Sequence, residues 1–187
     1  MTTMDRIMKF ITVLILLAVS AGASWAQEDK TAQQTVIRVS FRNSEDTKSV
    51  WPFKEVKPTK ENPFNEGVLT TKKGVEVAAL STKGMYLNSK LGLMFGGAAG
   101  DYIEAPAVPG KRLVKVVYKM SGSGAAGRLA ICDGEGNVVP GGKALQTAEE
   151  GRTHRWVLKE SVPGMVYRVQ TTHESMAKVK SLVFFYE

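Results

Sequence analysis

The chain has 187 residues, a formal net charge of +7, 43% hydrophobic residues and a single Cys. That apolar content suits a folded protein rather than a disordered one. One Cys excludes an internal disulfide, so stability must come from a packed core.

The first segment stands apart from any fold. Asp5, Arg6 and Lys9 form a short charged region with net positive charge, residues 10–19 read FITVLILLAV, and Ser24-Trp25-Ala26 offers small residues at cleavage positions. This pattern predicts a signal peptide over residues 1–26 and an exported chain, periplasmic or extracellular. The apolar run is shorter than the ~20 residues that a spanning helix needs, so the chain is not expected to span a membrane. No Cys lies near the cleavage position, so no lipid anchor is expected. Cleavage leaves about 160 residues, enough for one domain with a real core. Residues 27–34 are polar and read as a flexible terminus, and 35–187 read as the single domain.

Residues 35–41 alternate, with Ile37, Val39 and Phe41 on one face. A polar turn is expected over 42–48. Trp51-Pro52-Phe53 opens a stretch in which Pro52, Pro58 and Pro63 exclude a central strand, so a long ordered loop or short edge pieces are expected through Glu66. Its aromatics Trp51, Phe53 and Phe64 are expected to tuck onto the domain. Short strands are predicted over 74–80, 85–87 and 91–95, with Val75, Val77 and Ala79 aligned in the first. Residues 96–100, GGAAG, form a turn.

Residues 101–104 make a short strand before Pro106 and Pro109-Gly110. Residues 112–120 follow as a longer strand with Val114, Val116, Tyr118 and Met120 inward. After the glycine-rich stretch 121–127 come a strand over 128–132, turn chemistry over 133–137, and Val138-Val139. Residues 144–150 could form one helical turn. Strands follow over 154–159, with Trp156 and Leu158 inward, and over 165–171. The closing strand 179–186 is apolar on both faces, which predicts a central position. Short strands at this spacing, with no sustained 3.6-residue repeat, predict an all-β fold: a two-sheet antiparallel β-sandwich of jelly-roll type, or alternatively a closed barrel.

The chemical motifs fail on context. Residues 122–127 match G-x-G-x-x-G, but a strand follows instead of the helix that pyrophosphate binding needs. No G-x-S-x-G elbow is present. His154 and His173 lack metal-ligand spacing. Asp133, Glu135 and Asn137 alternate like the start of a calcium loop, but Ala144 occupies position 12, where a Glu is required. A structural calcium would need remote oxygens, and no other cofactor is implied. Asp101 and Glu104, three apart in a strand, point to opposite faces and would not flank one glycosidic bond. Cys132 reads as a small buried filler with no base partner. No catalytic residue emerges, and an enzyme is not expected.

Binding chemistry is better represented. Lys111, Arg112, Lys115 and Lys119 surround one strand, and in an exported protein they suit an acidic polysaccharide or membrane lipid headgroups better than nucleic acid. Flat rings suited to a sugar face include Trp51, Tyr86 and Tyr102. Trp156 and Tyr167 fall on apolar faces and read as core. The ligand-contact candidates are therefore Trp51, Tyr102, Tyr86 and Arg112.

The V-I-R-V-S-F strand at 36–41, Trp51-Pro52-Phe53, Asp101-Tyr102-Ile103-Glu104-Ala105-Pro106 and the closing Leu182-Val183-Phe184-Phe185-Tyr186-Glu187 together resemble small secreted jelly-roll proteins of gut anaerobic bacteria. Those are galactose-binding-like or carbohydrate-binding-module-like sandwiches. The resemblance implies a β-sandwich, an exported location and glycan binding, and carries over no catalytic residue. The expected function is a non-catalytic carbohydrate-binding module for a glycan, including an acidic one. The alternatives are a structural or adhesive surface protein with a cell-envelope protein as partner, then a glycan hydrolase or lyase.

Overall fold

The computed structural model describes residues 34–41, 51–120, 129–143 and 153–187. The expected signal segment 1–26, the polar residues 27–33, the polar turn 42–48, the glycine loop 122–127 and the helical turn at 144–150 lie outside them.

The described residues contain no helix, and none is therefore long and apolar enough to cross a membrane. Their strands are β1 (Thr35–Ser40), β2 (Phe64–Thr70), β3 (Glu76–Asn88), β4 (Gly92–Gly96), β5 (Tyr102–Glu104), β6 (Leu113–Met120), β7 (Leu129–Asp133), β8 (Thr153–Val157), β9 (Tyr167–Thr171) and β10 (Met176–Tyr186). All named pairings are antiparallel, as the all-β expectation required. One sheet runs β8-β6-β10-β4-β3, with β1 also on β10; the other runs β7-β9-β5-β3, with β2 also on β3.

Strand β3 belongs to both sheets. Its first half pairs with β2 and β5, and Tyr86, Leu87 and Asn88 pair with β4. The register against β2 jumps between Leu80 and Met85, and Gly84 sits at φ +74° inside the jump. Apolar alternation breaks there, which is why the sequence suggests two short strands where the chain makes one bent strand. Strand β2 overlaps the short edge pieces expected through Glu66, but its run on to Thr70 is not evident in the sequence. Its residues FNEGVLT bury only Leu69, while Val68 stays 54% exposed. An edge strand with one inward anchor carries no readable alternation.

The core lies where the inward faces meet. Val39, Phe41, Phe95, Tyr118, Met120, Leu182 and Phe184 are all buried, with Leu69, Val77, Ile131 and Val169 from the other sheet. Strand β10 is central, as expected: β6 pairs along one edge, β4 and β1 along the other. Leu182, Phe184 and Tyr186 fill the core side, and Val183 on the opposite side is only 5% exposed.

Two local expectations are corrected. Val114 is not a core residue of β6, because a register shift sets Phe185 against Lys115 but Tyr186 against Leu113. The extra residue of this bulge is Val114, so Leu113 turns inward at 2% exposure. Met165 precedes β9 and is 44% exposed, whereas Tyr167 and Val169 are buried.

Gly92 shows how tightly β4 meets β10. It has φ +80°, and an added Cβ would lie 2.5 Å from the Val179 carbonyl oxygen. Gly92→Ala must therefore accept a left-handed backbone and displace main chain at once. The expected cost is about 2 kcal/mol or more, read as a lower urea midpoint. A midpoint equal to that of the native chain would show that β4 relaxes freely.

Candidate functional site

Strand alternation builds the most distinctive surface. With Val116, Tyr118 and Met120 inward, β6 must present Lys115, Val117 and Lys119 outward. Register then aligns them with three neighbours. One row reads Val36, Phe185, Lys115, Val157; the next Arg38, Val183, Val117, Arg155; the third Ser40, Ser181, Lys119, Thr153. Every charge in these rows is positive. Arg38, Lys119 and Arg155 are exposed, and Lys115 is half-buried with Nζ 3.8 Å above the Phe185 ring. Val36 and Val157 are 50% and 54% exposed. The face is a ring of cations around an aliphatic centre. Arg38 and Arg155 stand three strand steps apart, roughly 14 Å.

The β6 bulge shapes one end of this face. Arg112 and Glu187 exchange main-chain hydrogen bonds, Arg112 N–H to Glu187 O at 2.9 Å and Glu187 N–H to Arg112 O at 3.1 Å. Their side chains are therefore neighbours, and Arg112 Nη2 lies 3.6 Å from Glu187 Oε2. The Leu158 amide donates to Val114 O at 2.9 Å, which brings Lys159 alongside. Arg112, Lys115, Lys159 and Glu187, with Val114 and Val157 as an apolar wall, line a depression of about 400 Å³. Three cationic side chains and one acidic side chain line it.

Of the four ligand-contact candidates Trp51, Tyr102, Tyr86 and Arg112, only Arg112 belongs to this site, together with Lys115 and Lys119 of the basic group. Trp51 is corrected: it is 8% exposed, its ring packs edge-on to Phe53 at 4.9 Å, and its Nε1–H donates to Glu55 O at 3.0 Å. A ring so packed offers no sugar platform. Tyr86 is half-buried opposite Met94. Tyr102 is half-buried opposite Leu80 and Gln170, with the Arg168 guanidinium 4.0 Å above its ring. Its outer face is thus covered by a cation that also donates to Glu104 Oε1, from Nε at 3.1 Å and Nη2 at 2.9 Å. These rings occupy separate registers and do not converge on Arg112. Trp156 and Tyr167 are core residues, 2% and 3% exposed.

The carboxylates singled out from the sequence divide their work. Asp101 is 1% exposed and accepts from the Thr82 amide, the Thr82 hydroxyl and the Ala98 amide. Glu104 holds Arg168. Asp133 Oδ1 accepts from the amides of Glu135 and Asn137, both at 2.9 Å. Those bonds, the Asn137 amide foremost, hold the Asp133 carboxyl below its ordinary value. They close a turn over residues 133–137.

Cys132 is 1% exposed, and burial, then the Asp133 charge, pushes its thiol up to about 11 from an ordinary 9.0. A raised thiol stabilises the fold below the ordinary value and loses that contribution as pH rises from about 9 toward about 11. A disulfide reagent at pH 8 is expected to leave the native thiol unmodified and to label it at once in urea. Rapid native labelling would mean that β7 opens readily.

Arg38, Arg155, Val157 and Lys159 escape the sequence reading. Each is an ordinary exposed strand or turn residue, and only pairing across β1, β10, β6 and β8 assembles them. No family model, curated protein or solved structure matches this chain.

Proposed function

We propose that the chain is an exported, non-catalytic carbohydrate-binding module, and that it grips an acidic glycan on the outer face of β1, β10, β6 and β8. The observation that carries this reading is the set of cross-strand rows in which Arg38, Lys115, Lys119 and Arg155 surround aliphatic residues with no carboxylate among them. A flat face with separated cations suits a polyanion lying across the strands. Carboxylate or sulfate groups would meet the guanidinium and ammonium groups, and sugar C–H faces would lie on the exposed Val36 and Val157. Export rests on the residue pattern of 1–26, and an exported chain would meet polysaccharide as one class of polyanion.

The test is affinity electrophoresis in gels containing polygalacturonate or neutral dextran. Retardation is expected in the acidic gel alone, weakening as salt rises. Equal migration in both gels, or retention by dextran, would sink the reading.

A second reading has its own observation. Val68, Met165 and Val166, 54%, 44% and 45% exposed, border an apolar groove of about 370 Å³ that also touches Val108 and Tyr186. This groove favours a cell-envelope protein as partner, with the domain serving as a structural or adhesive surface element.

A further inference from the structure

We propose that the depression at Arg112 is a subsite for one carboxylate group of that glycan, a uronic acid unit, and that Glu187 occupies it as an internal stand-in until the ligand arrives. The inference rests on the acidic-glycan reading and names the group that it recognises. Three features support it.

The first is charge. Arg112, Lys115 and Lys159 line a depression in which Glu187 is the one acidic side chain among the described residues. Cationic side chains therefore outnumber acidic side chains there. The second is looseness. The Arg112–Glu187 contact is 3.6 Å, beyond hydrogen-bond length, and both side chains are 42% exposed. Exposed pairs of this kind are weak, so a ligand carboxylate can displace Glu187 by rotating its side chain while the main-chain pair to Arg112 stays intact. The third is continuity. Lys115 and Val157 line the depression and also form the first row of the basic face. A chain lying across that face would reach the subsite with one end. The bulge at Val114 turns that side chain out of the core and into the wall of the depression.

Substitution separates this proposal from the reading it rests on. Tri-galacturonic acid is titrated by calorimetry into the native chain, Glu187→Gln and Arg112→Gln, with thermal midpoints checking the fold. Glu187→Gln is expected to bind about threefold tighter, because it removes the competitor. Arg112→Gln is expected to bind about tenfold weaker. A sulfated neutral trisaccharide and acidic phospholipid vesicles serve as the other anion sources, and weaker binding of both than of the uronate supports the assignment. Unchanged or weaker binding by Glu187→Gln overturns the stand-in role. If both variants match the native chain while Arg38→Ser/Arg155→Ser loses polygalacturonate, the subsite is wrong and the face reading stands. If no acidic glycan binds any form, both fail. Vesicle binding without trimer binding overturns the uronate assignment in favour of a lipid headgroup.

Discussion

Asp101→Ala is expected to destabilise the fold by about 3 to 4 kcal/mol, more than any surface change. The carboxylate is 1% exposed and accepts from three donors: the Thr82 amide at 2.9 Å, the Thr82 hydroxyl and the Ala98 amide at 3.1 Å. Thr82 sits in the bend of β3, and Ala98 sits in the glycine turn before β5. The Asp101 carbonyl also accepts from the Thr171 amide at 2.8 Å and from its hydroxyl. One residue thus ties the bend shared by both sheets to the end of β9. Alanine keeps the main-chain bonds but leaves the Thr82 amide, the Thr82 hydroxyl and the Ala98 amide without their part-buried acceptor, and each lost charge-assisted bond costs more than a neutral one. For a domain of this size the midpoint of thermal unfolding should fall by about 10 °C. Asp101→Asn retains one acceptor oxygen but turns an NH₂ toward donors, so it should fall between Ala and the native chain. A loss under about 1 kcal/mol for Ala would show that the turn repacks without the carboxylate.

The second large effect is on binding. Arg38→Ser/Arg155→Ser should weaken polygalacturonate binding by at least about tenfold and flatten its salt dependence, because two separated charge contacts are lost together. Both side chains are exposed and flank the Val183–Val117 pair without lining the core. Stability should therefore stay within about 0.5 kcal/mol of the native value. Lys115 is a poorer probe, since its stem and charge also cover Phe185. Native affinity with an unchanged salt slope in the double variant would remove this face from the binding reaction.

The aromatics separate local from tertiary information. Trp51 reads as a loop residue because prolines surround it, and that local reading is right: the segment is irregular apart from the Phe53–Thr71 bridge. Its packing is not local. Phe41 at the end of β1 meets both Trp51 and Phe53, with ring centroids 6.4 and 6.1 Å away. No periodicity links Phe41 to Trp51 across the intervening polar stretch. Tyr102 and Arg168 are farther apart still, and only β5–β9 pairing stacks one on the other.

Arg112 is visible in the sequence as one of a basic group around β6, yet its partners are not. Alternation assigns each residue to one side of its own strand. It does not say which residue of another strand stands beside it, because side-chain direction repeats every two residues whatever the neighbour. Glu187 faces Arg112, and Arg155 shares a row with Arg38, only after β10 and β6 have chosen their register.

Alternation along the chain is enough to set the strand-forming segments with clear period two, the inward faces of β1, β8, β10 and of β6 from Val116 onward, the centrality of β10 and the all-β class. Those follow from local chemistry: apolar residues at period two must leave water on one side. Tertiary structure alone decided the bent β3 shared by two sheets, the edge strand β2, the inward turn of Leu113 in place of Val114, and the gathering of scattered cations into one face. Each of these depends on contacts between distant segments, whose register is selected by the whole core rather than by any one stretch of chain.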